Sequence, residues 1–320
     1  MRHMTKEERR LMGRWHKEKV SNKEIAKRLG RDPSTIGREF TRNSGKRGYR
    51  ADQAQKKAEE RSKRSGHRKF TDEIIQDIHV GLLVGFTPEI ISCRARYEGR
   101  PHVCKESIYQ YIYQDASVGG ELWRSLPRAK RKRKRRCPRD ENHGRGRILN
   151  QRKIADRPKE VETRTTLGHW EGDLINGAHG TGNLVTIVER RSRFTLVGKT
   201  ETKQASEVLH EMRTLISGIP KSLRCSLTLD NGKEFAYHET LEKKTGIAVY
   251  FANAYHSWER GTSENTNGLI RRLHPKKRSF EKIGLLELMT AEQYVNDRPR
   301  KCLGWRTPRE VFEEAIVAAP

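Results

Sequence analysis

Apolar residues between positions 21 and 43 recur at helical spacing, and the spacing is interrupted by capping signals. Ser21 and Glu24 have the S-x-x-E form of a capping box. Ile25, Ala26 and Leu29 then share one face, and Gly30 ends the helix. Asp32 starts a second helix with Pro33 at its first position. Ile36 and Phe40 give that helix an apolar stripe, leaving Ser34, Thr35, Arg38 and Arg42 outside it. Two short helices across a tight glycine turn predict a helix-turn-helix. Small polar residues and arginine at the start of the second helix suit entry into a DNA major groove. A related pattern runs from Phe86 to Gln114. Thr87-Pro88-Glu89 opens a helix bearing Ile90, Ile91 and Ala95. A Gly99-Arg100-Pro101 break follows, and then Ile108, Tyr111 and Ile112. It reads as a second helix-turn-helix, the alternative being a helical spacer packed through Tyr109, Tyr111 and Tyr113.

From about residue 167 the period changes. "GHWEGDLI", "NLVTIVER" and "RFTLVGKT" are strand-like runs with short turns between them. "KQASEVLHEMRTLISGI" is amphipathic, with Val208, Met212, Leu215 and Ile216 on one face. "RCSLTLD" is a strand, "GKEFAYHETLEKKTG" a helix, "IAVYFA" a strand and "TSENTNGLIRRLHP" a helix. The order β-β-β-α-β-α-β-α predicts a mixed sheet with helices on both faces. The stretch 285–316 reads as helix, loop and helix docked on it. The fold class expected is multidomain: an all-α helix-turn-helix N-terminal region followed by an α/β domain. The boundaries expected are a DNA-binding domain at 1–45, a basic linker at 46–70, a second helical domain at 71–125, another basic linker at 126–160 and the α/β domain at 161–320.

Charge sharpens this division. The 320 residues carry a formal net charge of +26. Residues 1–150 hold 39 basic and 19 acidic side chains, against 28 and 22 in 151–320. An excess concentrated on one half points to a polyanion, and nucleic acid is the natural one. The run 127–147 is too charged to bury a core and suits the DNA backbone, through Arg131, Arg133 and Arg135 among others. The five cysteines form no C-x-x-C pair, so neither a disulfide framework nor a zinc site is expected. No apolar run reaches membrane-spanning length. A reducing, cytoplasmic and nucleoid-associated protein without membrane contact is expected.

Three acids lie where this architecture gathers side chains. Asp173 is inside the first strand, Asp230 ends the fourth, and Glu264 is in the first turn of the next helix. A turn-forming Asp-Asn-Gly at 230–232 and a helix-dipole acid at 264 are plain structural alternatives. Asp173 is harder to dismiss, because a carboxylate within "WEGDLI" is costly to bury without a partner. Grouped carboxylates repel one another, and a divalent cation removes the repulsion. Hard oxygen ligands suit Mg²⁺, with Mn²⁺ as substitute, and a pair of such ions supports displacement at phosphorus. Near Glu264, Asn267, Gly268 and Arg271 share its helical face. Gly268 would allow close approach of a strand or DNA. Arg271 suits either a phosphate or, with Arg272, a solvated basic face. From the preceding loop Trp258 suits either stacking on a base or sealing the core, with Arg260 beside it as a DNA-contact candidate.

The segments "SNKEIAKRLGRDPSTIGREF", "TPEIIS…ESIYQYIY", "GHWEGDLI", "TLDNGKEF" and "HSWERGTSENTNGLIRR" together resemble the bacterial insertion-sequence transposases of the IS-thirty family. The resemblance spans nearly the whole chain. It implies an RNase H-like catalytic domain with Asp173, Asp230 and Glu264 as the acidic triad, holding two Mg²⁺ ions. It also implies binding to double-stranded DNA at terminal inverted repeats, strand cleavage, strand transfer into target DNA, and a homodimer or higher oligomer. Phe86 and Cys104 depart from the pattern in the second helical motif, where tryptophan and a serine-like cap are expected. A sequence-specific repressor, or a nuclease of RNase H type that cuts without joining, are the alternative functions.

Overall fold

The computed structural model describes residues 4–45, 47–67, 70–127, 148–253 and 256–318, except the side chains of 62–67 and 257–258. Two compact units appear, Met1–Asp77 and Ile78–Pro320.

In the first unit, α1 (Lys6–Lys17) starts at a complete capping box between Thr5 and Glu8. The helices α2 (Asn22–Leu29) and α3 (Pro33–Asn43) form the expected helix-turn-helix. Gly30 joins them at φ 60°, a left-handed conformation that costs glycine little. Ser21 accepts the Glu24 backbone N–H at 3.3 Å. The Glu24 carboxylate does not close the box; it takes the Arg28 Nε–H at 3.1 Å, one turn along the same helix. Asp32 caps α3 by accepting the Ser34 N–H at 2.8 Å. Met12, Ile25, Ala26, Ile36, Phe40, Tyr49 and Ala54 form one apolar cluster. Ala54 belongs to α4 (Ala51–His67), so this basic, polar stretch is a helix packed on α1 and α3. Arg9 fastens three elements from a nearly buried position: its Nε donates to Glu39 at 2.7 Å, and its Nη1 to Gln55 at 2.6 Å and to the Met4 carbonyl at 2.8 Å. The helix α5 (Asp72–Leu83) contains the boundary between units.

The second unit opens with α6 (Pro88–Tyr97), capped by Thr87, and α7 (Lys105–Ser117). Cys104 makes no side-chain cap to α7. The turn is held instead by Ser92, whose hydroxyl donates to the Val103 carbonyl at 2.6 Å. Phe86 lies under the Arg298 guanidinium, 5.4 Å from its ring centre. The short α8 (Glu160–Thr163) leads into the sheet. Its strands are β1 (His169–Asn176), β2 (Asn183–Glu189), β3 (Thr195–Thr200), β4 (Ser226–Leu229) and β5 (Ala248–Phe251). They lie in the order β3-β2-β1-β4-β5, with β1–β2 and β2–β3 antiparallel and β1–β4 and β4–β5 parallel.

The helices are α9 (Ala205–Ser217), α10 (His238–Thr245), α11 (Gly261–Leu273), α12 (Leu285–Asn296) and α13 (Pro308–Ala318). Strand β2 shows that both sheet faces are covered. Its neighbours Leu184 and Val185 point to opposite faces. Val185 packs with Val208 and Met212 of α9, whereas Leu184 packs with Leu269 and Ile270 of α11 and Val295 of α12. Gly172 is required by close packing, since a Cβ there would lie 2.6 Å from Leu229 on the next strand. Mixed sheet, strand order and two helical layers together make the RNase H-like architecture. Among the described residues no helix is long and apolar enough to cross a membrane.

Arg9→Met is expected to cost the first unit about 3 kcal/mol, because Glu39 is left without its ion-pair partner. Native-state hydrogen exchange would show faster exchange of the α1 amides. Unchanged protection would mean the Arg9 bonds contribute nothing net.

Candidate active site

The pairing of β1 with β4 sets the site. In their parallel register Glu171 lies beside Thr228. Continuing two residues along each strand brings Asp173 to the level of Asp230, the residue after β4. The period of two keeps Asp173 on the same face as Glu171, toward α11, while Trp170 packs into the opposite core. The two aspartates are therefore neighbours across the β1–β4 pair, Asp230 just past the carboxyl end of β4, where open α/β sheets place their sites, and Asp173 inside the longer β1.

One guanidinium lies between them. Arg260 Nη1 stands 3.4 Å from Asp173 Oδ1 and Nη2 stands 3.2 Å from Asp230 Oδ2. Its Nη1 also donates to the Gly172 carbonyl at 3.1 Å. Arg260 is thus turned inward onto the two acids. Asp173 Oδ1 accepts the Leu174 N–H at 3.0 Å, and its Oδ2 accepts the Asn267 Nδ2–H at 2.7 Å. Asn267 in turn accepts the Thr186 hydroxyl at 3.1 Å. Asp230 Oδ1 accepts the Gly232 N–H at 2.9 Å, closing the Asp-Asn-Gly turn. Burial holds the Asp173 carboxyl above the usual carboxylate range; Arg260 opposes the shift and Asp230 adds to it.

Glu264 is on the first turn of α11 and exposed. It is not gathered with the aspartates: among the described residues no three His, Cys, Asp or Glu side chains are close enough to hold a metal. The helix that carries it is nevertheless firmly fixed. Glu171, fully buried, receives the Ser263 N–H on Oε2 at 2.9 Å and Arg190 Nη1 on Oε1 at 2.7 Å. Arg193 Nη1 donates to the Thr262 hydroxyl at 2.6 Å. An anion at a helix N-terminus accepts an unpaired N–H and complements the dipole. Glu171 and Asp173 are about 6.6 Å apart along β1. Their partners Ser263 and Asn267 are four residues apart on α11, about 6 Å. Strand and helix therefore run in step, with Glu264 between the two contacts.

The remaining expected site residues are divided. Ser34, Arg38 and Arg42 are exposed on α3 and Thr35 is half-buried, so the outer face of the second helix is presented as expected. Arg271 is bound to its own fold: Nη2 donates to the Asn176 carbonyl at 2.7 Å and the guanidinium stacks on Phe280. A Cβ on Gly268 would meet nothing within 4 Å, so that face is open. His169 is buried against the Ser226 hydroxyl at 2.8 Å, and burial lowers its pKa. Arg131, Arg133, Arg135 and the Trp258 side chain lie outside the described residues. Sequence reasoning did not find the Glu171–Arg190 anchor or the Arg260 bridge. The available signal for Glu171 was its position two residues before Asp173, on the same strand face.

A helix-turn-helix unit joined to an RNase H-like domain with paired acids defines a DNA strand-transfer enzyme of the DDE type. A family of helix-turn-helix domains matches residues 1–43. The transposase for insertion sequence element IS4351 of Bacteroides fragilis is 38% identical over 98% of this chain and 97% of its own length. The transposase of IS1086 from Cupriavidus metallidurans is 37% identical over 97% of this chain and 94% of its own length. Transposase InsI of element IS30A from Escherichia coli K12 is 33% identical over 98% of this chain and 84% of its own length. The chain belongs to the IS30 family of insertion-sequence transposases, and its function is DNA transposition.

Glu171→Ala leaves Arg190 as an uncompensated buried charge and is expected to cost the second unit about 3–5 kcal/mol. The double change Glu171→Ala with Arg190→Met is expected to regain part of that loss in denaturant unfolding. If the second change brings no recovery, the two residues are not energetically coupled.

Proposed function

We propose that Asp173, Asp230 and Glu264 are the metal-binding acids of the strand-transfer reaction, with two Mg²⁺ ions for which Mn²⁺ substitutes. The observation that carries this reading is the Asp173–Asp230 pair, set level on adjacent parallel strands with a cationic group between the carboxylates. The donor set fits: two hard oxygen donors face one space, and that space already attracts a positive charge. Glu264 is the third donor, one turn from the Asn267–Asp173 contact. A divalent cation there stabilises charge on the attacking and leaving oxygens of the phosphodiester. The chain supplies the rest. Asn267 orients Asp173 through its Oδ2 and leaves Oδ1 toward Asp230, and the Glu171 anchor fixes the start of α11.

The reading extends to DNA. The exposed Ser34, Arg38 and Arg42, together with Thr35, face the terminal inverted repeats, while Arg131, Arg133 and Arg135 follow phosphates along the backbone. Trp258 remains a proposed DNA contact from the sequence, whereas Arg271, engaged by the Asn176 carbonyl and the Phe280 ring, is not retained as one. The proposed division of labour is end recognition by 1–45, a second helical domain at 71–125, and catalysis by 161–320. A homodimer or larger assembly brings two element ends together, on the nucleoid in the cytoplasm.

Asp173→Asn, Asp230→Asn and Glu264→Gln are each expected to abolish cleavage and joining while leaving end binding within about threefold, because phosphates are held mainly by Lys and Arg. The assay uses a pre-cleaved end with a supercoiled target, so that joining is scored apart from hydrolysis. Near-normal joining by any one variant removes that residue from the site.

Arg38→Ala is expected to lower the preference for cognate ends over random duplex, by about 1–3 kcal/mol if it reads a base. Neutralising 130–136 is expected to weaken all DNA binding and flatten its salt dependence. Equal effects of the two changes on specificity would sink the division between base reading and backbone contact.

A further inference from the structure

We propose that Arg260 is a positioning residue that stands in for the catalytic cation, holding Asp173 and Asp230 together until a divalent ion displaces it. This rests on the metal-binding reading of the two aspartates. Three observations carry it. The guanidinium contacts one oxygen of each carboxylate, at 3.4 and 3.2 Å, so a single planar cation spans the pair. The Arg260 side chain is only 15% exposed, less than the 22% of Asp173 and the 36% of Asp230. It is therefore seated below the acids, against the Gly172 carbonyl, and not swung over them from solvent. Lastly, Arg260 immediately precedes α11, four residues before Glu264.

Two like charges at one sheet edge need compensation whether or not metal is present. A guanidinium meets that need through planar, two-pronged geometry that an ammonium does not match. The same geometry makes it a competitor, because a metal ion needs the oxygen atoms that Arg260 covers. The exchange replaces one positive charge with two, which neutralises the carboxylate pair: the divalent ion enters and the guanidinium leaves toward solvent or a DNA phosphate. The residue expected from the sequence to contact DNA thus has its free partner only after the carboxylates release it. Glu264 is outside the pair, so the site has two donors in place and one to be recruited when the cation arrives.

The test is Mn²⁺ binding to the full chain without DNA, followed by electron paramagnetic resonance, together with thermal unfolding with and without Mn²⁺. The proteins are the unaltered chain, Arg260→Gln, Arg260→Lys and Asp173→Asn. Arg260→Gln is expected to bind Mn²⁺ about three- to tenfold more tightly, since two partly exposed ion pairs no longer compete. It should melt below the unaltered chain without metal, and the gap should narrow when Mn²⁺ is present. Arg260→Lys keeps the charge but loses the two-pronged bridge, so it too is expected to bind more tightly. If Arg260→Lys binds like the unaltered chain, only local charge matters and the stand-in role is overturned. A loss of stability in Arg260→Gln that Mn²⁺ does not reduce would likewise reveal a purely structural arginine. Asp173→Asn separates the two readings. Binding equal to the unaltered chain defeats the metal site itself. Lost binding, with no gain in Arg260→Gln, defeats the stand-in alone.

Discussion

The parallel pairing of β1 with β4 is the constraint on which the catalytic unit depends. The ladder places Glu171 opposite Thr228, and the level of the two aspartates follows from that register. A slip of one residue would send Asp173 to the opposite face, into the core that holds Trp170. Gly172 leaves room there for the Leu229 side chain, whose terminal methyl a Cβ at 172 would meet at 2.6 Å. The acids are thus held level by main-chain geometry, with the Arg260 guanidinium between them.

A second element is matched to the first. Helix α11 runs along β1 with one contact per turn, Ser263 to Glu171 and Asn267 to Asp173. The rise of a strand over two residues nearly equals that of a helix over four, so one strand face can serve both contacts without strain. The price of burying Glu171 is offset by Arg190 and by the helix N-terminus together. Arg260, the residue just before that start, bridges the aspartates from its seat against the Gly172 carbonyl. Loop, helix and strand therefore share one electrostatic arrangement, in which cationic and anionic groups alternate.

Much of this was legible from residue order. Capping residues Ser21, Asp32 and Thr87 mark helix starts by a local rule, since each bonds its own first turn. The change from period 3.6 to period 2 near residue 167 marks the sheet, and the acids at 173 and 230 fall at its edge by counting alone. What could not be read is the direction of long side chains. Arg260 and Arg271 look alike in sequence, basic residues beside an acid-bearing helix. One turns onto two carboxylates and the other onto a carbonyl and a phenyl ring. That choice is made by partners supplied from distant strands, Asp230 for one and Asn176 for the other. The same holds for α4, whose polar composition suggested a linker. Ala54 and Gln55 find their places only because α1 presents a close apolar face and Arg9.

The charge distribution poses a physical problem that this arrangement answers. A chain at +26 draws in DNA, yet the acids proposed to cut it are anionic and would repel the phosphate they must meet. Bare carboxylates at the reaction point would oppose substrate approach and raise one another's pKa. Asp173 shows that tendency already, its carboxyl displaced upward by burial with Asp230 nearby. A cation between the acids removes both difficulties, and the site keeps one there in the form of Arg260. The positive residues of the N-terminal half then act at long range, through the field that concentrates DNA. On the proposed reading, the neutralised pair would act at short range, where a phosphodiester meets Asp173 and Asp230. Attraction and chemistry are thereby assigned to different residues, and neither requires the acids to stand unpaired.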